Sequence, residues 1–223
     1  MREIVLDTET TGLDPAGGHR IVEIGCLELD NYIPTGQTFH VYINPQRDMP
    51  VEAFNVHGLS DDFLAGQPLF SQVVEDFLEF IGESDLVIHN AAFDMKFLNA
   101  ELARLTLDPL PMSRAIDTLA MARSKFPGAQ ASLDALCKRF GIDNSARDKH
   151  GALLDSELLA EVYLELRGGR QAGFSLAVDR QTVAADAPAH RNTRAPRAHA
   201  PTAAELAAHA AFIAALENPI WKR

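Results

Sequence analysis

The stretch "EIVLDTE", residues 3–9, limits the fold more than any other. In an extended chain side chains alternate between faces. Ile4 and Leu6 then share one face, and Val5, Asp7 and Glu9 share the other. A strand that is apolar on both sides belongs inside a sheet covered on both sides. Two acids at the end of such a strand are costly to bury unless positive charge meets them. The chain must therefore build a covered sheet and neutralise a pair of carboxylates at its edge.

The rest of the pattern supplies the cover. "IVEIGCLELD" (21–30) and "TFHVYINP" (38–45) alternate as strands, the second stopping at Pro45, and "GLDPAGGH" (12–19) is a Gly/Pro loop. Helical spacing of Phe70, Val73, Val74, Phe77, Leu78 and Ile81 predicts a helix over 68–82, closed by Gly82. A short buried strand at 85–90, a helix at 92–105, a strand turning helical at 114–126, a Ser-capped helix at 132–141 and a long helix at 152–169 follow. The expected fold class is α/β: a mixed sheet of about five strands flanked by helices over residues 1–170, with a flexible C-terminal tail.

Residues 177–202 are rich in Ala, Pro and Arg without apolar period and read as a linker. Thr202 and Glu205 then form a capping box before Leu206, Ala210, Ile213 and Leu216 at helical spacing. Phe212, Ile213 and Trp221 have nothing local to pack on, which suits a short helix at 203–223 that docks on a partner.

The net charge is −11, with −13 in residues 1–170 and +2 in 171–223. That balance disfavours broad wrapping of nucleic acid but not a local contact assisted by metal. The two cysteines, Cys26 and Cys137, sit in apolar patterns and read as buried reduced thiols. No window approaches a membrane span, so a cytoplasmic protein is expected.

Two more acids stand on apolar stripes. Glu157, Glu161 and Glu165 mark the solvent face of the last long helix, whereas Asp155 aligns with Leu159, Val162 and Leu166. Asp94 aligns with Leu98, Leu102 and Leu105, although Glu101 also falls near that stripe. Singly, each has an ordinary explanation: strand-end turn chemistry, a helix cap, or an acid favoured by a helix dipole. Four inward carboxylates from three segments would repel one another and rise in pKa. Two divalent cations would resolve that, and two-metal sites serve in-line displacement at phosphorus.

"LDTETTG" (6–12), "HNAAFD" (89–94) and "HGALLD" (150–155) resemble the three motifs of DEDD-type 3′→5′ exonucleases. With "FNVHGLSDDFL" (54–64) and "SLDALCKRFGIDNSARDKHGALLD" (132–155), the chain most resembles the proofreading, or epsilon, subunits of bacterial DNA polymerase III. The resemblance implies a ribonuclease H-like fold and excision of mismatched nucleotides from frayed or single-stranded DNA 3′ ends. It makes Asp7, Glu9, Asp94 and Asp155 ligands of two Mg²⁺ or Mn²⁺ ions and His150 the general base. Asp7, Glu9 and Asp155 would also meet the substrate, and Glu52 and His57 the terminal nucleotide, against the plainer reading of a polar loop with a helix-start histidine. Thr10 and Thr11 would shape the adjoining turn. "GGRQAGFSL" (168–176) looks like a sliding-clamp peptide anchored by Gln171, Phe174 and Leu176, within a clamp-binding and linker segment at 171–202. The final helix would tether the chain to the polymerase catalytic (alpha) subunit. Three other readings remain open: an RNA 3′→5′ exonuclease akin to ribonuclease T or oligoribonuclease, a non-catalytic binding subunit that keeps the fold, and an assembly adaptor between polymerase and clamp.

Positions five apart on one helix lie about 140° from each other. His150 and Asp155 can face one site only if His150 precedes the helix, with Gly151 allowing a bend and Asp155 in the first turn.

Overall fold

A computed structural model describes residues 1–145, 149–169 and 200–215. Strands β1 (Arg2–Thr10), β2 (Ile21–Asp30), β3 (Ile33–Tyr42), β4 (Asp85–Ile88) and β5 (Ala115–Asp117) form one sheet in the order β3-β2-β1-β4-β5. The β1–β2 and β2–β3 pairs are antiparallel, and the β1–β4 and β4–β5 pairs are parallel. The α-helices are α1 (Val51–His57), α2 (Asp61–Ala65), α3 (Phe70–Ile81), α4 (Ala91–Arg104), α5 (Thr118–Lys125), α6 (Leu133–Phe140), α7 (Ala152–Leu166) and α8 (Ala203–Ala215).

The central strand serves two cores. Ile4 and Leu6 pack with Phe77 and Ile81 of α3 and Leu98 of α4. Val5 packs with Leu136 of α6 and Leu159 and Val162 of α7. This is the covered, mixed five-stranded sheet that the strand pattern requires. At the end of β1 the ladder shifts register between Glu9 and Thr10, a bulge of the kind that re-aims side chains beside functional sites.

Three boundaries differ from expectation. β3 starts at Ile33 rather than 38 and ends at Tyr42, before Pro45. Asn31 and Tyr32, with φ of 50° and 69°, make a two-residue turn that places Asp30 opposite Ile33. Pro34 and Gly36 are tolerated because β3 is an edge strand. Residues 51–65 form α1 and α2 rather than a polar loop, so His57 ends a helix instead of starting one. Gly58, at φ 77°, closes α1, and the Ser60 side chain accepts from Phe63 N to open α2. Finally, α7 stops at Leu166.

Glu101, which spoiled the apolar stripe of α4, is buried because both its oxygens accept from Arg20, at 2.6 and 2.7 Å. Arg104 adds a third contact at 3.1 Å. A bidentate pair of this kind is what allows a carboxylate to sit in a helix–sheet interface. Cys26 and Cys137 are buried and form no disulfide.

The chain divides into two compact units, Met1–Ser175 and Leu176–Arg223. In the second, Thr202 and Glu205 form the expected capping box: Thr202 N donates to Glu205 at 2.7 Å, and Glu205 N to Thr202 Oγ1 at 3.3 Å. Along α8 Leu206 and Phe212 are exposed, whereas Ile213, expected to have nothing local to pack on, is buried. Gln171, Phe174, Leu176 and Trp221 lie outside the described residues. No helix among the described residues is long and apolar enough to cross a membrane.

Candidate active site

Asp7, Glu9, Asp94, His150 and Asp155 line one cavity of about 690 Å³. They arrive on separate supports: one strand, two helices and the segment before one of them. Asp7 and Glu9 alternate off the end of β1, on the face opposite Ile4 and Leu6. Asp94 stands in the first turn of α4, and Asp155 in the first turn of α7. His150 precedes α7, outside the helix, as the five-residue spacing requires.

The approach of α7 depends on Gly25. Gly25 faces Asp7 across the β1–β2 ladder. A β-carbon there would fall inside the peptide unit joining Ala152 and Leu153, so only glycine lets the first turn of α7 rest on the sheet. Ser156 Oγ donates to Gly25 O at 2.9 Å and secures the contact. Gly151 does not make the expected glycine bend. Its φ of −152° is extended backbone that any residue adopts, and a β-carbon there would meet open space.

The electrostatics are those of a site built for positive charge. Glu9, Asp94 and Asp155 are 8%, 3% and 3% exposed, and Asp7 is half-buried. Burial, with a smaller push from nearby Asp117, raises the Asp94 carboxyl to about 7. Thr8 opposes that rise, its N–H and Oγ1 both donating to Asp94 Oδ1, at 3.1 and 2.7 Å. His150 Nδ1 lies 3.2 Å from Asp155 Oδ2. One ligand atom from each of Glu9, His150 and Asp155 falls within 4.8 Å of the others. Converging, desolvated carboxylates with an imidazole alongside fit hard divalent cations, which take oxygen ligands readily.

The segment carrying His150 is tied to α1. His150 N donates to Val56 O at 3.2 Å, and Lys149 Nζ to Asn55 O at 2.7 Å. These are carbonyls of the last turn of α1, where cations are favoured. The His150 side chain is 46% exposed.

A second cavity, of about 580 Å³, shares Thr8, Glu9, Leu13 and Phe93 with the first and is also lined by Glu52 and His57. His57 Nδ1 accepts from Leu59 N at 3.0 Å, so the ring proton sits on Nε2. Burial lowers the pKa of His57 and keeps the ring neutral. Its Nε2 is buried without a hydrogen-bond partner among the described residues. Thr10 and Thr11 do shape the turn: Thr10 Oγ1 donates to Gly12 O at 2.7 Å, and Arg20 N donates to Thr11 Oγ1 at 3.0 Å.

A family model described as "Exonuclease" matches residues 4–163. Over 222 residues, 97% of each chain, the protein is 53% identical to the DNA polymerase III subunit epsilon of Rickettsia felis. It is 49% identical over 189 residues to that of Escherichia coli K12, covering 81% of this chain and 77% of that one. The chain belongs to the exonuclease family, among its DNA polymerase III epsilon subunits. The nuclease domain of 3′hExo, a DEDDh family member solved with rAMP, shares the fold at 22% identity with a TM-score of 0.64, over 74% of this chain and 90% of that one. Exonucleases of this family depend on divalent metal.

Within this epsilon-family exonuclease all five catalytic candidates share one cavity, and Glu52 and His57 occupy the neighbouring one. Sequence reasoning did not single out Gly25, Leu13, Phe93, Asn90 or Arg123. Asn90 left a trace: it stands just before a helix, at φ 65°, a backbone state that asparagine tolerates better than most residues. The others acquire meaning only from contacts distant in sequence.

Proposed function

We propose that this protein is a 3′→5′ proofreading exonuclease that removes mismatched nucleotides from DNA 3′ ends and releases nucleoside 5′-monophosphates. The observation that carries this reading is the meeting of Asp7, Glu9, Asp94, Asp155 and His150 in one cavity. The near full-length likeness to a relative named DNA polymerase III subunit epsilon favours DNA over RNA as substrate.

Asp7, Glu9, Asp94 and Asp155 would hold two divalent cations, Mg²⁺ or Mn²⁺. When bound, these supply a lowered pKa for the attacking water and charge stabilisation at the phosphoryl oxygens. With Nδ1 against Asp155, His150 leaves Nε2 as the base that would take the proton from the attacking water. Asp155 orients the imidazole, the arrangement that fixes the tautomer of many catalytic histidines. In the second cavity Glu52 and the Nε2–H of His57 contact the terminal nucleotide. Because that ring is neutral and its other nitrogen is occupied, His57 acts as a fixed donor. An unpaired 3′ end is preferred because it gives up less stacking and pairing on entry.

The exonuclease domain spans 1–170, the clamp-binding peptide and linker 171–202, and the polymerase-docking helix 203–223. Gln171, Phe174 and Leu176 engage the sliding clamp; Phe212, Ile213 and Trp221 engage the polymerase catalytic subunit. Exposure of Phe212 on α8 supports the second contact. The test is digestion of a mismatched primer–template with and without Mg²⁺, beside a short RNA, followed by capture of the polymerase subunit by the full chain and by a chain ending at residue 170. Asp7→Ala should nearly abolish metal-dependent digestion. Equal rates on RNA, or full activity in Asp7→Ala, would reject the reading.

A further inference from the structure

The cavity that gathers the carboxylates is also lined by Asn90, Leu119, Arg123, Ser132 and Asp134, none of which lines the neighbouring cavity of Glu52 and His57. Arg123 is the sole Lys or Arg side chain among the described residues that line it. The other described arginines are all engaged. Arg20 and Arg104 bind Glu101, Arg2 binds Glu28, and Arg47 and Arg114 donate to main-chain carbonyls. Arg139 lies over the Phe126 ring, and Arg167 donates to Tyr32. Arg123 alone among them has no hydrogen bond, ion pair or ring contact, and its side chain is exposed at the last turn of α5.

Position gives this cation a task. The scissile phosphate must sit at the carboxylates, and the terminal nucleoside on the Glu52–His57 side. The remaining strand therefore leaves toward Arg123. Arginine presents a planar fork that matches phosphate oxygens. We propose, resting on the exonuclease reading above, that Arg123 binds the phosphate one nucleotide upstream of the scissile bond and so positions the strand that is left behind.

Two substrates separate this role from general charge balance. The p-nitrophenyl ester of thymidine 5′-monophosphate carries only the scissile phosphate, whereas a thymidine trinucleotide carries one more upstream. In the full chain with saturating Mn²⁺, Arg123→Ala should lower kcat/KM on the trinucleotide by about 10- to 100-fold, the range for a lost charge-assisted bond. On the nitrophenyl ester the change should stay below about threefold. A neutral methylphosphonate at the upstream linkage should impair the wild-type protein and leave Arg123→Ala little further affected. Arg123→Lys should retain part of the rate. On longer single strands the variant's affinity should depend less steeply on salt, by about 0.7 in the log–log slope. Equal losses on both substrates, or equal sensitivity of both proteins to the methylphosphonate, would overturn the assignment. Failure of the wild-type protein to hydrolyse the nitrophenyl ester would instead overturn the exonuclease reading beneath it.

Discussion

Gly25 stands directly across the antiparallel ladder from Asp7, and the first turn of α7 rests on it. The spacing between Asp7 on the sheet and Asp155 on that turn is thus set by a missing β-carbon. Gly25→Ala should push the Ala152–Leu153 peptide outward and carry Asp155 and His150 with it. Misplacement of about 1 Å can cost about 100-fold in rate. We expect a loss of that order at saturating Mn²⁺, together with weaker metal binding by calorimetry. Ser156→Ala, which removes a hydrogen bond but leaves the close approach, should cost much less. Similar losses in the two variants would show that the approach of α7 does not set the site.

His150→Ala should reduce kcat by about 10²–10⁴-fold, the usual contribution of a positioned base. Its effect on Mn²⁺ affinity should be small. A pH–rate profile that keeps its acid limb in the variant would move the base elsewhere.

Burial holds the Asp94 carboxyl up to about 7, against an ordinary value of 3.8. Folding therefore favours the protonated form. The stability this provides is complete below about pH 4 and is lost as pH rises through about 7. In chelator-treated protein, Tm should fall from pH 5 to pH 8, at about 2–4 °C for each kcal/mol lost in a chain of this size. Added Mg²⁺ or Mn²⁺ should raise Tm more at pH 8 than at pH 5, because metal binds the deprotonated ligand. Asp94→Asn should flatten both trends; unchanged trends in that variant would assign them to other groups.

Lys149 holds the His150 segment to the end of α1 through Asn55 O. Lys149→Ala should loosen the base without touching a carboxylate. A fall in kcat of roughly threefold to tenfold with unaltered Mn²⁺ affinity is expected, by the same positioning logic. A parallel change in metal affinity would mean that the tether supports the ligands instead.

Periodicity carried the sequence reading where a residue answered to its own element. Asp7 and Glu9 were legible because alternation along β1 left acids on an apolar strand. Asp155 was legible because Glu157, Glu161 and Glu165 had already claimed the wet face of α7. What escaped notice depends on partners far along the chain. Arg20 and Glu101, 81 positions apart, turn an apparent flaw in α4 into a bidentate pair. Gly25 looked like an ordinary strand glycine until Ser156, 131 positions away, proved to rest on it. Residues 51–57 concealed a helix because its buried face is only Ala53 and His57. Asn31 and Tyr32 concealed the start of β3 because tyrosine rarely adopts a left-handed turn.

Since β1 is wedged between two cores, the two acids it carries have no hinge of their own. Asp7 and Glu9 cannot leave their places by local fraying, as a loop ligand could. Their amide protons should exchange with solvent only on the timescale of whole-domain opening, while the exposed approach to α7 exchanges sooner. The molecule then has two clocks: a slow one that keeps the acids where metal expects them, and a faster one for the imidazole that handles the proton.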